Sequence, residues 1–279
     1  MTSIKCSHTK NQLLLLFKKA ILGKRARCGY CGSFKVRRTK DNRFWCRKCR
    51  KRFSLKSASF LKGSKLPLDR IYCLLDCWLQ EMPVKQTARL TNLSRQTVSR
   101  YFRKFRLVVP ELKEKLNGSV IVMDDSYFGG KRKGKRGRGA TGKTLVFGAL
   151  DQQASQIKVF ELESMDFRVI ATCISHHTNR EAKFISDDYS SYQYAASWLK
   201  TVNVFINHAV RFKETNPIEN VWSVFKNKLI RMYHHATKRY MFEYIKELAY
   251  RFNSRLNPDD PFAFIQKTLQ LQSVTASYR

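Results

Sequence analysis

The order of apolar runs after residue 118 narrows the folds open to this chain more than any other feature. SVIVMD, TLVFGALD and QIKVFELE are three short β-type runs in direct succession. A helical stretch follows near 166–177. Next come KFISD as a strand, YSSYQYAASWLK as a helix, TVNVFI as a strand, and two helices at about 215–231 and 237–253. Successive strands joined by short connections predict an antiparallel meander, and strands alternating with helices predict parallel pairing. Right-handed crossovers leave few ways to combine the two.

The combination that matches is a ribonuclease-H-like α/β fold, over residues 118–279. In it the first strand is central and the fourth lies beside it. Asp124 would then face the active edge near the end of the first strand, with Asp125 on the other face because strand side chains have period two. Asp187, ending the fourth strand, comes within reach of Asp124, and Glu219, opening the amphipathic run NPIENVWSVFK, can lie across both. Taken singly, an Asp after a strand is a turn former and a Glu early in a helix complements the dipole. The ordered trio can hold two Mg2+ or Mn2+ ions about 3.5–4 Å apart, as phosphoryl transfer on a nucleic acid requires. Lys226, two helical turns after Glu219, shares its face and suits the DNA backbone near the scissile phosphate. Asn216 and Asn220 lie close by; Trp222 reads as a core anchor. His208 follows the fifth strand and could assist metal positioning; His234 and His235 read as surface or DNA-contact residues.

Charge points to the same substrate. The 279 residues hold 54 Lys+Arg against 21 Asp+Glu, a formal net charge of +33. Self-repulsion makes such an excess costly, and phosphates that release counterions compensate it. A ribosomal-type or membrane-surface basic protein would be shorter or less aromatic; here 43% hydrophobic residues suffice for real cores. The longest apolar run, Leu13 to Phe17, is too short for a membrane span or a signal segment. The expected location is therefore cytoplasmic and nucleoid-associated, or nuclear in a eukaryotic host.

The N-terminal half reads as a helical segment over 1–24, a zinc ribbon over 25–62 and a helix-turn-helix region over 63–117. Cys28-x2-Cys31 and Cys46-x2-Cys49, fourteen residues apart, suit one tetrahedral structural Zn2+ on two knuckles, with Gly29 and Gly32 easing the first turn. The intervening FKVRRTKDNRFWC reads as a basic hairpin. Cys73 and Cys77, one helical turn apart, read as core; Cys6 and Cys173 fit no pattern. In VKQTARLTNLSRQTVSRYFRKFR, Ala88 falls where two helices touch, Asn92 suits the left-handed turn, Ser94 the N-cap and Val98 the return packing. Arg95, Gln96, Ser99 and Arg100 on the exposed start of the second helix suit base edges and phosphates of double-stranded DNA.

Gly137 to Thr144 matches the phosphate-loop pattern G-x4-G-K-[ST], but the context is wrong: basic residues precede it and a strand-like run follows. The stretch is better read as a basic loop between the first two strands, with Lys131, Arg132, Lys133, Lys135, Arg136, Arg138 and Lys143 placed to meet phosphates.

MDDSYFGGKRKGKRGRGATGKTLVFGAL resembles the signature of a family of bacterial insertion-sequence transposases of the DDE type, relatives of the Merlin DNA transposons. ISDDYSSY is similar to the family's T-D-x-Y-x-S-Y, INHAVRF and NPIENVWSVFK to its I-N-H and I-E-N-x-W with a later Lys, and ELAYRFNSR to its E-x-x-x-R-F-N. Asp125 stands where the family usually has Glu, and Pro217 where Gly is frequent. The resemblance implies that Asp124, Asp187 and Glu219 are the D-D-E triad with Lys226 as its companion. It also implies an enzyme that cleaves element ends at terminal inverted repeats and joins the 3′-hydroxyl to target DNA, at least as a homodimer in a synaptic complex. A non-catalytic, domesticated DNA-binding regulator and a metal-dependent nuclease without strand transfer are the competing readings.

Overall fold

The computed structural model describes residues 9–22, 25–41, 43–129, 142–179, 181–206, 216–234 and 236–275. Two compact units emerge, one of residues 111–257 and the other of residues 1–110 together with 258–279. Among the described residues no helix is long and apolar enough to cross a membrane.

The 111–257 unit is built on five strands: β4 (Val120–Phe128), β5 (Thr144–Asp151), β6 (Gln156–Leu162), β7 (Lys183–Asp187) and β8 (Asn203–Ile206), in the order β6-β5-β4-β7-β8. β4, β5 and β6 pair antiparallel, and β7 and β8 add on parallel. This is the ribonuclease-H-like order, with β4 central. The parallel pairs need crossovers, which α5 (Phe167–His177) and α6 (Ser190–Leu199) supply. Period-two alternation then splits the strands into two cores. Ile121, Met123, Phe147 and Phe184 pack under α5 and α6 through Ile170, Ile174, Tyr192 and Ala195. Val122, Val146 and Ile185 pack on the opposite face against α7 (Asn216–Tyr233) and α8 (Lys238–Asn253), through Ile218, Val221, Trp222, Phe225, Ile245 and Leu248. Each such side chain, fully buried, contributes about 1.5–3 kcal/mol.

The ELAYRFN segment of α8 braces this second layer. Glu247, fully buried, accepts from Tyr233 Oη at 2.6 Å and pairs with buried Arg251 at 2.8 Å. Asn253 clasps the edge strand β6: its Oδ1 accepts from Ile157 N at 2.8 Å and its Nδ2 donates to Ile157 O at 2.9 Å.

The other unit contains α1 (Lys10–Leu22), the small sheet β1 (Val36–Arg38), β2 (Phe44–Cys46) and β3 (Arg52–Phe53), and the helices α2 (Leu68–Leu79), α3 (Val84–Thr91) and α4 (Arg95–Arg106). α3 and α4 form the expected helix-turn-helix. Asn92 is left-handed at φ 51°, ψ 46°, and Ser94 caps α4 by accepting from Thr97 N at 3.1 Å. Val98, fully buried, packs α4 back, while Arg95, Gln96, Ser99 and Arg100 are exposed. The reading of the sequence ran the ribonuclease-H-like domain to residue 279. The structure ends that unit at Asn257, and a further helix, α9 (Pro261–Thr275), packs against α1 and α2, with Phe264 5.3 Å from Trp78.

Candidate active site

The two aspartates are set level by strand register. β4 and β7 pair as Val120↔Lys183, Ile121↔Phe184 and Val122↔Ile185. The same offset carried two residues further brings Asp124 beside Asp187, both on the face that carries Val122 and Ile185 and looks toward α7. α7 is fixed on that face by Ile218, Val221, Trp222 and Phe225, whose spacing is that of a helical stripe. Glu219, in its first turn, is half-buried beside them.

Asp124 is the electrostatic focus. Its carboxyl is pushed up to about 7, first by burial, then by the neighbouring charge of Asp125, and also by Asp187 and Glu219. All three acidic neighbours therefore act on one side chain. Asp125 alternates to the α6 side, where it accepts from Tyr192 Oη at 3.3 Å. Burial, followed by the charges of Asp125 and Asp124, raises the Tyr192 phenol well above its ordinary range, so it stays a donor.

Trp222 is the core anchor read from the sequence, and it also has a polar role. It is buried, but its indole Nε1 donates to Asp124 Oδ2 at 3.0 Å. Room for the ring comes from Gly148, directly across from Asp124 on β5; a Cβ there would lie 2.5 Å from Trp222 Cζ2 and Cη2. Sequence patterning finds neither Trp222 nor Tyr192 as polar partners. The available signal was that both fall within the I-E-N-x-W and D-x-Y-x-S-Y motifs.

Lys226 lies over the Phe128 ring, its ammonium 5.5 Å from the centroid, and Phe128 in turn meets Trp222 edge-on at 5.8 Å. Partial desolvation lowers the Lys226 ammonium; the charge of Asp124 opposes this, and that of Lys143 adds to it. Lys143 stands just before β5, so a second lysine lies near Lys226. β5 begins at Thr144, where a phosphate loop would open a helix. Lys131, Arg132, Lys133, Lys135, Arg136 and Arg138 lie outside the described residues, as do Cys6, His208 and His235. His234 is exposed.

The donor set on this face is all oxygen, which suits hard divalent cations. The mutual repulsion that raises Asp124 is what such a charge relieves. Among the described residues the Asp124, Asp187 and Glu219 carboxylates do not close to within 4.8 Å as a trio. Two ions about 3.5–4 Å apart do not require that, because outer carboxylates then serve different ions.

Cys28, Cys31, Cys46 and Cys49 do close up, their sulfurs all within 4.8 Å of one another, and could hold zinc. Gly32 turns the first knuckle in the left-handed region at φ 69°, and Tyr30 N donates to Cys28 Sγ at 3.4 Å. Burial raises the Cys28 thiol to about 12. Burial acts upward on Cys46 as well, yet the backbone N–H groups of Cys49 and Lys48 bring it down to about 6. Cys73 and Cys77 are both buried in α2.

The sheet order, and a match of residues 115–253 to a family model, make this unit a DDE-type catalytic core, that of a polynucleotidyl transferase. The model is that of the ISXO2-like transposase domain, and it matches this chain over residues 115–253. No curated protein matches the chain. Among solved structures, the catalytic core domain of BIV integrase is similar at 13% identity and a TM-score of 0.34, covering 58% of this chain and 99% of that one. The HTLV-2 integrase catalytic core domain in complex with magnesium is similar at 9% identity and a TM-score of 0.32, covering 50% and 87%. A chain of the simian T-cell lymphotropic virus intasome in complex with PP2A regulatory subunit B56 gamma follows at 8% and 0.36, covering 64% and 67%. At these scores the fold assignment rests on strand order.

Proposed function

We propose that the protein is a DNA transposase that binds the terminal inverted repeats of an insertion sequence, cleaves at the element ends, and joins the freed 3′-hydroxyl to target DNA. The observation that supports this is that the charges of Asp187 and Glu219 both act on buried Asp124, in line with a parallel register of Val122↔Ile185 continued by two residues. Asp124, Asp187 and Glu219 would hold two Mg2+ or Mn2+ ions. When bound, these ions supply charge neutralisation for attacking and leaving oxygens in an in-line displacement. Trp222 holds Asp124 in one rotamer. Lys226 and Lys143 meet the phosphates on either side of the scissile bond and keep the strand over the carboxylates. In the first displacement a water oxygen bonds to phosphorus and the 3′-oxygen leaves. In the second that 3′-oxygen bonds to a target phosphorus and a target 3′-oxygen leaves, so one phosphodiester is exchanged for another and no ATP is consumed.

Arg95, Gln96, Ser99 and Arg100 would enter the major groove at the repeats, beside a ribbon closed by one zinc ion on the four cysteines. Pairing two ends calls for at least a homodimer. The test is incubation with labelled end DNA and Mg2+ or Mn2+. Joined products support the proposal, cleavage alone makes the protein a nuclease, and binding without either makes it a regulator. Asp124→Ala should abolish cleavage and leave end binding intact; loss of binding would make Asp124 structural.

A further inference from the structure

The layer behind the carboxylate face carries an aromatic surface that nothing in the proposed chemistry uses. Tyr194 and Trp198, one helical turn apart on α6, are 63% and 67% exposed. Both rings pack on Phe167 at the start of α5, each at 5.9 Å. Val169 on α5, and Val202 and Phe205 beyond α6, are exposed apolar residues as well. A monomer gains nothing by holding two large rings in water against a third, and exposed apolar patches of this kind mark interaction sites.

Charge selects the partner. α5 and α6, FRVIATCISHH and SSYQYAASWL, contain a single Lys or Arg, Arg168, in a chain with 54 of them. A polyphosphate backbone finds few cations there: Arg168, 5.5 Å from the Phe167 ring centroid, and Lys115, which donates to Ser175 O at 3.0 Å. A second copy, itself at +33, meets little repulsion from these two helices. The surface lies on the α5–α6 layer, whereas Asp124 looks toward α7, so copies joined here keep both carboxylate sites open.

We propose that the α5–α6 face, centred on Phe167, Tyr194 and Trp198, is the surface through which two copies of this chain pair. The inference rests on the reading of the protein as a transposase that must bring two DNA ends together, and it names the contact. The experiment is sedimentation of the full zinc-loaded chain without DNA across a concentration series. Wild type is expected to pass from monomer to dimer. Trp198→Glu, and separately Tyr194→Glu, should weaken that association about thirtyfold or more. Both side chains are exposed, so the melting temperature should hold; should either variant fold poorly, the other and the wild-type series still decide. A wild-type chain that stays monomeric at every concentration overturns the proposal. So does unchanged dimerisation in both variants, or an undiminished dimer accompanied by weakened binding to random duplex DNA, which would make the face a nucleic-acid surface. Strand-transfer assays run in parallel separate the two ideas. Variants that cleave single ends but join none locate the fault in pairing, whereas a wild-type dimer without cleavage faults the catalytic reading alone.

Discussion

Trp222 Nε1 donates to Asp124 Oδ2 across 3.0 Å, tying the first residue of the acidic set to the helix that carries Glu219. Trp222→Phe keeps most of the ring and removes the donor. A hydrogen bond to a charged group is worth enough that turnover and Mg2+ affinity should each fall roughly tenfold to a hundredfold. The acid limb of the rate profile should move to higher pH, since the lost donor favoured the carboxylate. Calorimetric titration with Mg2+ and a pH–rate series check this; unchanged values in both would make the contact incidental.

Gly148 should tolerate no side chain. In Gly148→Ala the new methyl meets Trp222 Cζ2 and Cη2 at 2.5 Å, with the central sheet on one side and α7 on the other. Overpacking of this kind costs about 1–3 kcal/mol. The melting temperature should drop, and Mg2+ affinity should fall as it does in Trp222→Phe, because the same hydrogen bond is disturbed.

Without metal, the protein should lose stability as pH rises. Asp124 is raised from 3.8 to about 7, so between those values the folded chain holds a proton that the unfolded chain has released. Folding is thus progressively penalised from about pH 4 to pH 7, by up to about 4 kcal/mol from this group, and no further above it. Asp124→Asn should remove that slope and melt higher than wild type at pH 8 without metal. Saturating Mg2+ should narrow the gap by favouring the ionised carboxylate. A wild-type melting temperature that is flat across this range would contradict the account.

Zinc should leave with the ribbon's structure. Cys46→Ser removes one of four converging thiolates, and a strong chelator removes the rest of the site's function. Elemental analysis should give one zinc per wild-type chain and markedly less in the variant. Resonances of residues 28–53 should collapse toward unfolded positions, because a segment this small lacks a core of its own.

Arg251→Met should be among the most destabilising changes in the 111–257 unit. It strands Glu247, which is fully buried and shared with Tyr233, and such losses cost about 3–5 kcal/mol. Denaturant unfolding of the single and the paired Glu247→Gln/Arg251→Met variants would separate the stranded charge from the contact itself.

The strand order, the helix-turn-helix and the cysteine knuckles were legible because each depends on local signals: alternation in SVIVMD and TLVFGALD, Asn92 and Ser94 at their turn, and two C-x2-C pairs. Strand period also settled that Asp124 and Asp125 part company, one toward Trp222 and the other toward Tyr192. Burial of Trp222 followed from its place in a helical stripe. Its partner did not, because the contact with Asp124 spans 98 positions and depends on the gap left by Gly148. β3, only two residues long, is too short to show a period. The destination of α9 was hidden for another reason: the helix is ordinary in sequence, and what decides its place is Trp78, far upstream.

That destination bears on how the molecule is made. Residues 111–257 are all in hand before Pro261 leaves the ribosome, whereas the unit that contains the helix-turn-helix waits for α9 to close over α1 and α2. Synthesis thus finishes the sheet with its carboxylates ahead of the unit that carries α3 and α4. A fragment stopped at residue 110 lacks the piece that shields Trp78, so it is a poor stand-in for that unit when DNA binding is measured.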